Sequence, residues 1–147
     1  MDKIKINNFL NEFPGREFPE YELLSKNICS DIAKSIQMKF SLSNTADGLT
    51  MVKAINALSK SCEIASHVGE EFNLNLLLNA CGIDAAEVVY INWHRFDKID
   101  RLKLNDLAVH FYDIWYADVD DIDIFDYSLN WILSIRHDGH VKLLRSH

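Results

Sequence analysis

Cysteine is scarce, and its number is odd. The chain of 147 residues holds three, Cys29, Cys62 and Cys81, and no two stand at Cys-x-x-Cys spacing. Zinc sites and disulfide frameworks are both poorly served by that pattern, and buried free thiols in a reducing cytoplasm are the expectation. Proline occurs twice, and the five glycines are scattered, so no Gly-rich loop is available to cradle phosphate. No stretch approaches the roughly 18 apolar residues of a membrane helix. The opening MDKIKINNFLNEF lacks the apolar run of a signal peptide. Catalytic signatures are missing as well: there is no G-x-S-x-G, H-E-x-x-H or Walker sequence. The expectation is one soluble cytoplasmic domain, residues 1–147, that is not an enzyme and carries no cofactor.

Basic residues are absent where acidic ones crowd. Between Asp113 and Ser128 there is no Lys or Arg, while aspartates stand at 113, 118, 120, 121, 123 and 126. The whole chain has a formal charge of −7. That balance disfavours nonspecific attraction to nucleic acid and favours a basic partner.

Hydrophobic spacing predicts helices first and strands later. Residues 1 to 17 read as irregular, with a short helix or strand near Ile4–Leu10. Pro14-Gly15 marks a turn, and Pro19 suits the first turn of a helix running to Phe40. Tyr21, Leu24, Ile28, Ile32 and Ile36 would share its apolar face. SLSNTADG then reads as loop. A second helix is expected from Leu49 to His67, with Val52, Ile55, Leu58, Cys62 and Ala65 as its stripe; a hairpin about Asp47-Gly48 is the alternative. A short third helix is expected in Phe72–Cys81, closed by Gly82. Glu87–Trp93 is β-branched and aromatic and should be a strand. Asn105 is the expected cap of a helix bearing Leu104, Leu107, Ala108, Phe111 and Trp115 on one side. Ile122 and Ile124 alternate with aspartates, which suggests a short edge strand or extended loop.

The last element can be read down to its register. Asp138-Gly139 separates two apolar runs. A two-residue loop would pair Ile135 with Lys142 and mix polar and apolar residues on both faces. A three-residue loop, His137-Asp138-Gly139 with Gly139 left-handed, pairs Arg136 with His140, Ile135 with Val141, Leu133 with Leu143 and Trp131 with Arg145. Since a one-residue slip exchanges the faces, the cleaner segregation selects the three-residue loop and its bulge. The predicted class is therefore α+β: a helical N-terminal half packed on a small antiparallel sheet that ends in a C-terminal hairpin.

The candidate chemistry sits in and beside the aspartate run. Oxygen ligands suit calcium or magnesium, but Asp118, Asp120, Asp121, Asp123 and Asp126 lack the glycine and terminal glutamate of an EF-hand loop. No metal is expected. A metal-dependent hydrolase pairing these carboxylates with His137 or His140 is one alternative function; an acidic adaptor module is another. His94-Arg95, with Asp97 and Asp100, forms a further polar cluster without a placed nucleophile. The preferred expectation is a recognition surface, in which the carboxylates steer a positive partner and Tyr116 or Tyr127 anchors it.

Trp115 to Asp126, W-Y-x-x-x-D-D-I-D-I-F-D, and Trp131 to Val141, W-I-L-S-I-R-H-D-G-H-V, together resemble a C-terminal pattern of small bacterial proteins from polymorphic-toxin loci. Those proteins are similar to the immunity proteins of contact-dependent growth inhibition. The resemblance covers about the last fifth of the chain. It implies a cytoplasmic protein that binds and neutralises a cognate toxin domain, commonly a basic nuclease, and performs no catalysis. Tyr116, Asp118, Asp120, Asp121, Asp123, Asp126 and Tyr127 are then the expected toxin-facing residues.

Overall fold

The computed structural model describes residues 1–42 and 47–146. Helix α1, Lys3–Glu12, starts where Asp2 accepts the Ile4 N–H at 2.9 Å, filling one of the orphan donors at a helix N-terminus. It takes the helical of the two options expected near Ile4–Leu10 and extends it into flanks that the sequence read as irregular, and it buries Lys5 and Phe9, four residues apart on one side.

Tyr21–Leu23 is strand β1, not the first turn of a helix. Helix α2, Lys26–Lys39, begins only after Ser25, whose side chain accepts the Ile28 N–H at 3.3 Å. Pairing along an exposed sheet edge satisfies the backbone of residues 21–23, and the helix is displaced towards its C-terminus. Its buried face shifts with it: Cys29 and Ile36 are buried, whereas Ile28 is 47% exposed.

Helix α3, Gly48–Leu58, starts at Asp47, which accepts the Thr50 N–H at 2.8 Å. Asp47-Gly48 is thus a helix start, not a hairpin turn. The loop expected over 41–48 lies partly outside the described residues. The helix does not continue to His67. Lys60–Ser61 forms strand β2, and the next residues hydrogen-bond to the last strand and its turn, with Val68 N–H donating to the Gly139 carbonyl at 2.8 Å. Backbone pairing with an open edge outcompetes the extra helical turns, so Cys62 does not join Val52 and Ile55 in one stripe.

Helix α4, Leu74–Ala80, falls inside the expected span. Gly82 follows it at φ +67°, a left-handed stop. Strand β3, Val88–Trp93, is as expected. Strand β4, Ile99–Lys103, was not. Helices α5, Leu104–Val109, and α6, Phe111–Ile114, come next. Asn105 lies within α5 and caps nothing, since Lys103 holds the cap position without a side-chain hydrogen bond. The predicted face holds: Leu107, Phe111 and Trp115 are buried in the core, with Leu104 and Ala108 packed against them. Strands β5, Ile122–Phe125, β6, Trp131–Ile135, and β7, Val141–Arg145, complete the described chain.

The strands form one seven-stranded sheet in the order β1-β4-β3-β5-β6-β7-β2, antiparallel at every junction. The β6–β7 hairpin has the register read from the sequence, Trp131 with Arg145, Leu133 with Leu143 and Ile135 with Val141. Gly139 adopts φ +88°, and the Arg136 N–H donates to the His140 carbonyl at 3.0 Å. Strand β5 is central, not an edge, and every one of its residues is buried.

That burial follows from helices on both faces. Against one face pack α4, α5 and α6, closing over Val89, Ile91, Ile122, Ile124, Leu133 and Val141. Against the other pack α2 and α3, closing over Ile99, Phe125, Ile132 and Leu144. The fold is α+β, with N-terminal helices against an antiparallel sheet that ends in a hairpin. Among the described residues, no helix is long and apolar enough to cross a membrane.

Candidate functional site

The acidic run leaves α6 as a tight turn. Val119 and Asp120 both donate backbone N–H groups to the Tyr116 carbonyl, at 3.3 and 3.0 Å. Asp118 sits at φ +64°, a conformation aspartate tolerates better than most residues, and its N–H donates to the His137 carbonyl at 2.7 Å. The turn is thereby fastened to the β6–β7 loop.

Each aspartate then meets a different fate. Asp118 is exposed. Asp120 accepts from the Lys5 ammonium and from the Tyr116 N–H, the latter at 2.8 Å. Lys5 is buried beneath aromatic rings, its Nζ 3.8 Å from the Tyr116 centroid and 5.3 Å from that of Trp93, a geometry that stabilises the cation. Asp121 is half-buried and accepts at one oxygen from the His137 N–H at 2.7 Å, with the ring Nδ1 2.9 Å away. Burial alone would raise the Asp121 carboxyl; the His137 N–H and ring, with Arg136 nearby, hold it below its usual range. The hydrogen bond to Asp121 and its negative charge in turn raise His137.

Asp123 and Asp126 do not belong to an exposed patch. Asp123 points from β5 toward the α2–α3 side, where it accepts from Asn92 at 2.9 Å, Ser134 at 2.5 Å and Arg136 at 3.0 Å. Asp126 accepts from Ala86 N–H at 3.0 Å, Trp131 Nε1 at 3.1 Å and Ser128 N–H at 3.0 Å. Both are buried structural carboxylates, consistent with the rule that buried charge is paired and hydrogen-bonded. The two tyrosines also part company. Tyr116 is tied to α1, its hydroxyl accepting from Asn8 at 3.2 Å. Tyr127, 78% exposed, borders a shallow depression with Ile28 and Asp31 of α2, in the opposite helical layer.

What remains together is a cleft of about 710 Å³. One wall is Val119, Asp120 and Asp121; Asp2 and Lys5 come from α1 and its cap, Trp93 from the end of β3, and His94 and Lys98 from the loop after it. Val119 is 70% exposed, and exposed Asp118 immediately precedes it in the turn. His94 takes φ +84° and Phe96 φ +60° in the β3–β4 loop, held by the Phe96 N–H donating to Asn92 Oδ1 at 2.7 Å. Lys5 and Trp93 were missed from the sequence. The signal for Lys5 was its position one helical turn before Phe9: a lysine on an apolar face calls for a buried partner.

His137 and His140 turn to different carboxylates, Asp121 and Asp138, each at 2.9 Å. Among the described residues, no three His, Cys, Asp or Glu side chains converge in a geometry that would hold a metal ion. Comparison with known proteins finds no matching family model, curated protein or solved structure.

Proposed function

We propose that this chain is an immunity protein that binds and sterically neutralises a toxin domain carrying a basic cleft, and that it acts in the cytoplasm without catalysing a reaction. One observation carries this reading. The Asp118–Asp121 turn, drawn from a stretch without Lys or Arg, is clamped between α1 and the hairpin loop at the rim of an open cleft. A rigid acidic turn beside exposed Val119 and the Trp93 ring offers steering charge and an apolar contact without the entropy of ordering a loop. The contact set is Tyr116, Asp118, Asp120 and Asp121, with Tyr127 outside it. Asp123 and Asp126 hold the fold beneath.

The test is genetic and then biochemical. A basic reading frame beside the gene is expressed with and without this chain. Its product should arrest growth alone and be silenced by coexpression. Asp118→Asn with Asp121→Asn keeps shape and the Asp121 acceptor oxygen while removing charge, and should slow association most at low salt. A neighbouring product that is harmless, or that is equally toxic with and without this chain, would sink the reading.

A further inference from the structure

The sheet ends at strand β2, and beside that edge lies a depression of about 500 Å³. Two of the three cysteines of the chain line it, Cys62 and Cys81. Cys62 follows β2, and its N–H donates to the Val141 carbonyl at 3.3 Å, so its backbone is fixed to β7. Cys81 caps the C-terminus of α4, where its N–H donates to the Leu77 carbonyl at 3.0 Å. Both belong to the core on the α4 side of the sheet. Cys29 lies apart, in the layer between the sheet and α2–α3.

The two thiols are placed unequally. Cys62 is 5% exposed, whereas Cys81 is half-buried. Burial, and after it the neighbouring Cys81 thiol, push Cys62 up to about 11, while Arg145 on the wall of the depression favours its thiolate. A reagent from solvent therefore meets Cys81 first, with Cys62 next to it.

We propose that Cys62 and Cys81 are a thiol pair that exchanges with small disulfides, Cys81 taking up the reagent and Cys62 resolving it into an internal disulfide that ties the end of α4 to the end of edge strand β2. In the first step the Cys81 thiolate attacks one sulfur of a disulfide R–S–S–R. A Cys81–S–S–R bond forms, and RS⁻ leaves and takes up a proton. In the second, the Cys62 proton goes to solvent, the Cys62 thiolate attacks the Cys81 sulfur, and the second RS⁻ leaves. Two protein thiols are oxidised by two electrons, and the small disulfide is reduced to two thiols. Capture at Cys81 removes the share of its thiol in raising Cys62, so the first step prepares the second. In a reducing compartment such a bond is transient and reports redox poise, because excess small thiol reverses both steps. Neither step involves a toxin or the acidic cleft.

The reduced full chain is incubated with oxidised glutathione under native conditions, quenched with acid and mapped by non-reducing proteolysis and mass spectrometry. Wild type should lose two hydrogens and give a linked Cys62–Cys81 peptide, with Cys29 left as a thiol. Cys62→Ala should stop at the mixed disulfide on Cys81, raising that species at least about tenfold over wild type. Cys29→Ser should close at the wild-type rate within about twofold. Circular dichroism before oxidation checks that each variant is folded, and the wild-type map decides independently of any variant. A wild-type product that rests at the Cys81 mixed disulfide, no reaction at Cys81, a native disulfide that includes Cys29, or equal mixed disulfide in wild type and folded Cys62→Ala would each overturn the proposal.

Discussion

The carboxylate of Asp123 and the guanidinium of Arg136 meet at 3.0 Å inside the layer between the sheet and α2–α3. Asn92 and Ser134 complete the carboxylate's hydrogen bonds from the strands on either side, so one acid ties β3, β5 and β6. Asp123→Ala would strand Arg136 in a mostly buried site. The expected loss is about 3 kcal/mol, in the range for breaking a buried pair by removing one partner. Chemical denaturation checks it, and Asp118→Asn, at an exposed position whose left-handed backbone asparagine also tolerates, should lie within about 0.5 kcal/mol of wild type.

Gly139 should not accept a side chain. Its φ of +88° is unfavourable for a β-branched residue, and a Cβ there would stand 3.1 Å from His67 Cδ2. Gly139→Val should cost more than about 1 kcal/mol, measured as a lowered denaturation midpoint with an unchanged slope.

The His137–Asp121 pair should leave a pH signature. His137 is raised above its ordinary 6.5, so its contribution is full below that value and disappears as pH climbs through the folded-state pKa. Asp121 is held below its ordinary 3.8, so its contribution is full above that value and is lost as pH falls through the folded-state pKa. The pair therefore contributes most from above pH 3.8 to about 6.5. Imidazole titration followed by NMR should show His137 ionising above 6.5 in the wild type and moving back toward 6.5 in Asp121→Asn.

The thiols should react unequally. Burial, with the neighbouring Cys81 thiol adding to the effect, pushes Cys62 up to about 11, and burial also raises Cys29. At mildly alkaline pH Cys29 and Cys62, buried and short of thiolate, should alkylate slowly, and Cys81, the more accessible thiol, should react first. Under denaturing, non-reducing conditions all three should titrate. Finding a single free thiol would reveal an intramolecular disulfide.

Local features were legible wherever a short stretch specifies its own geometry. The hairpin register followed from the segregation of Leu133, Ile135, Val141 and Leu143 and from a glycine at the left-handed position. The α4 stop at Gly82, strand β3 and the apolar face running from Leu104 to Trp115 were readable for the same reason. Element ends were less so. Tyr21–Leu23 and Lys60–Ser61 carry helix-compatible spacing, yet they become strands because β4 and β7 offer them open edges, and those partners are distant in sequence.

The sequence by itself determined the α+β class, the closing hairpin and a pronounced acidic bias. Only the tertiary structure decided which aspartates are surface. Ile122-Asp123-Ile124 alternates as a strand with one wet face would, and period-two spacing cannot say whether that face meets water or another layer. Here α2 and α3 cover it, β3 and β6 flank β5 on both edges, and Asn92, Ser134 and Arg136 supply donors that make a buried carboxylate tenable. Asp118 and Asp121 remained accessible because their turn is pinned to the hairpin loop at the end of the sheet, beyond the reach of either helical layer.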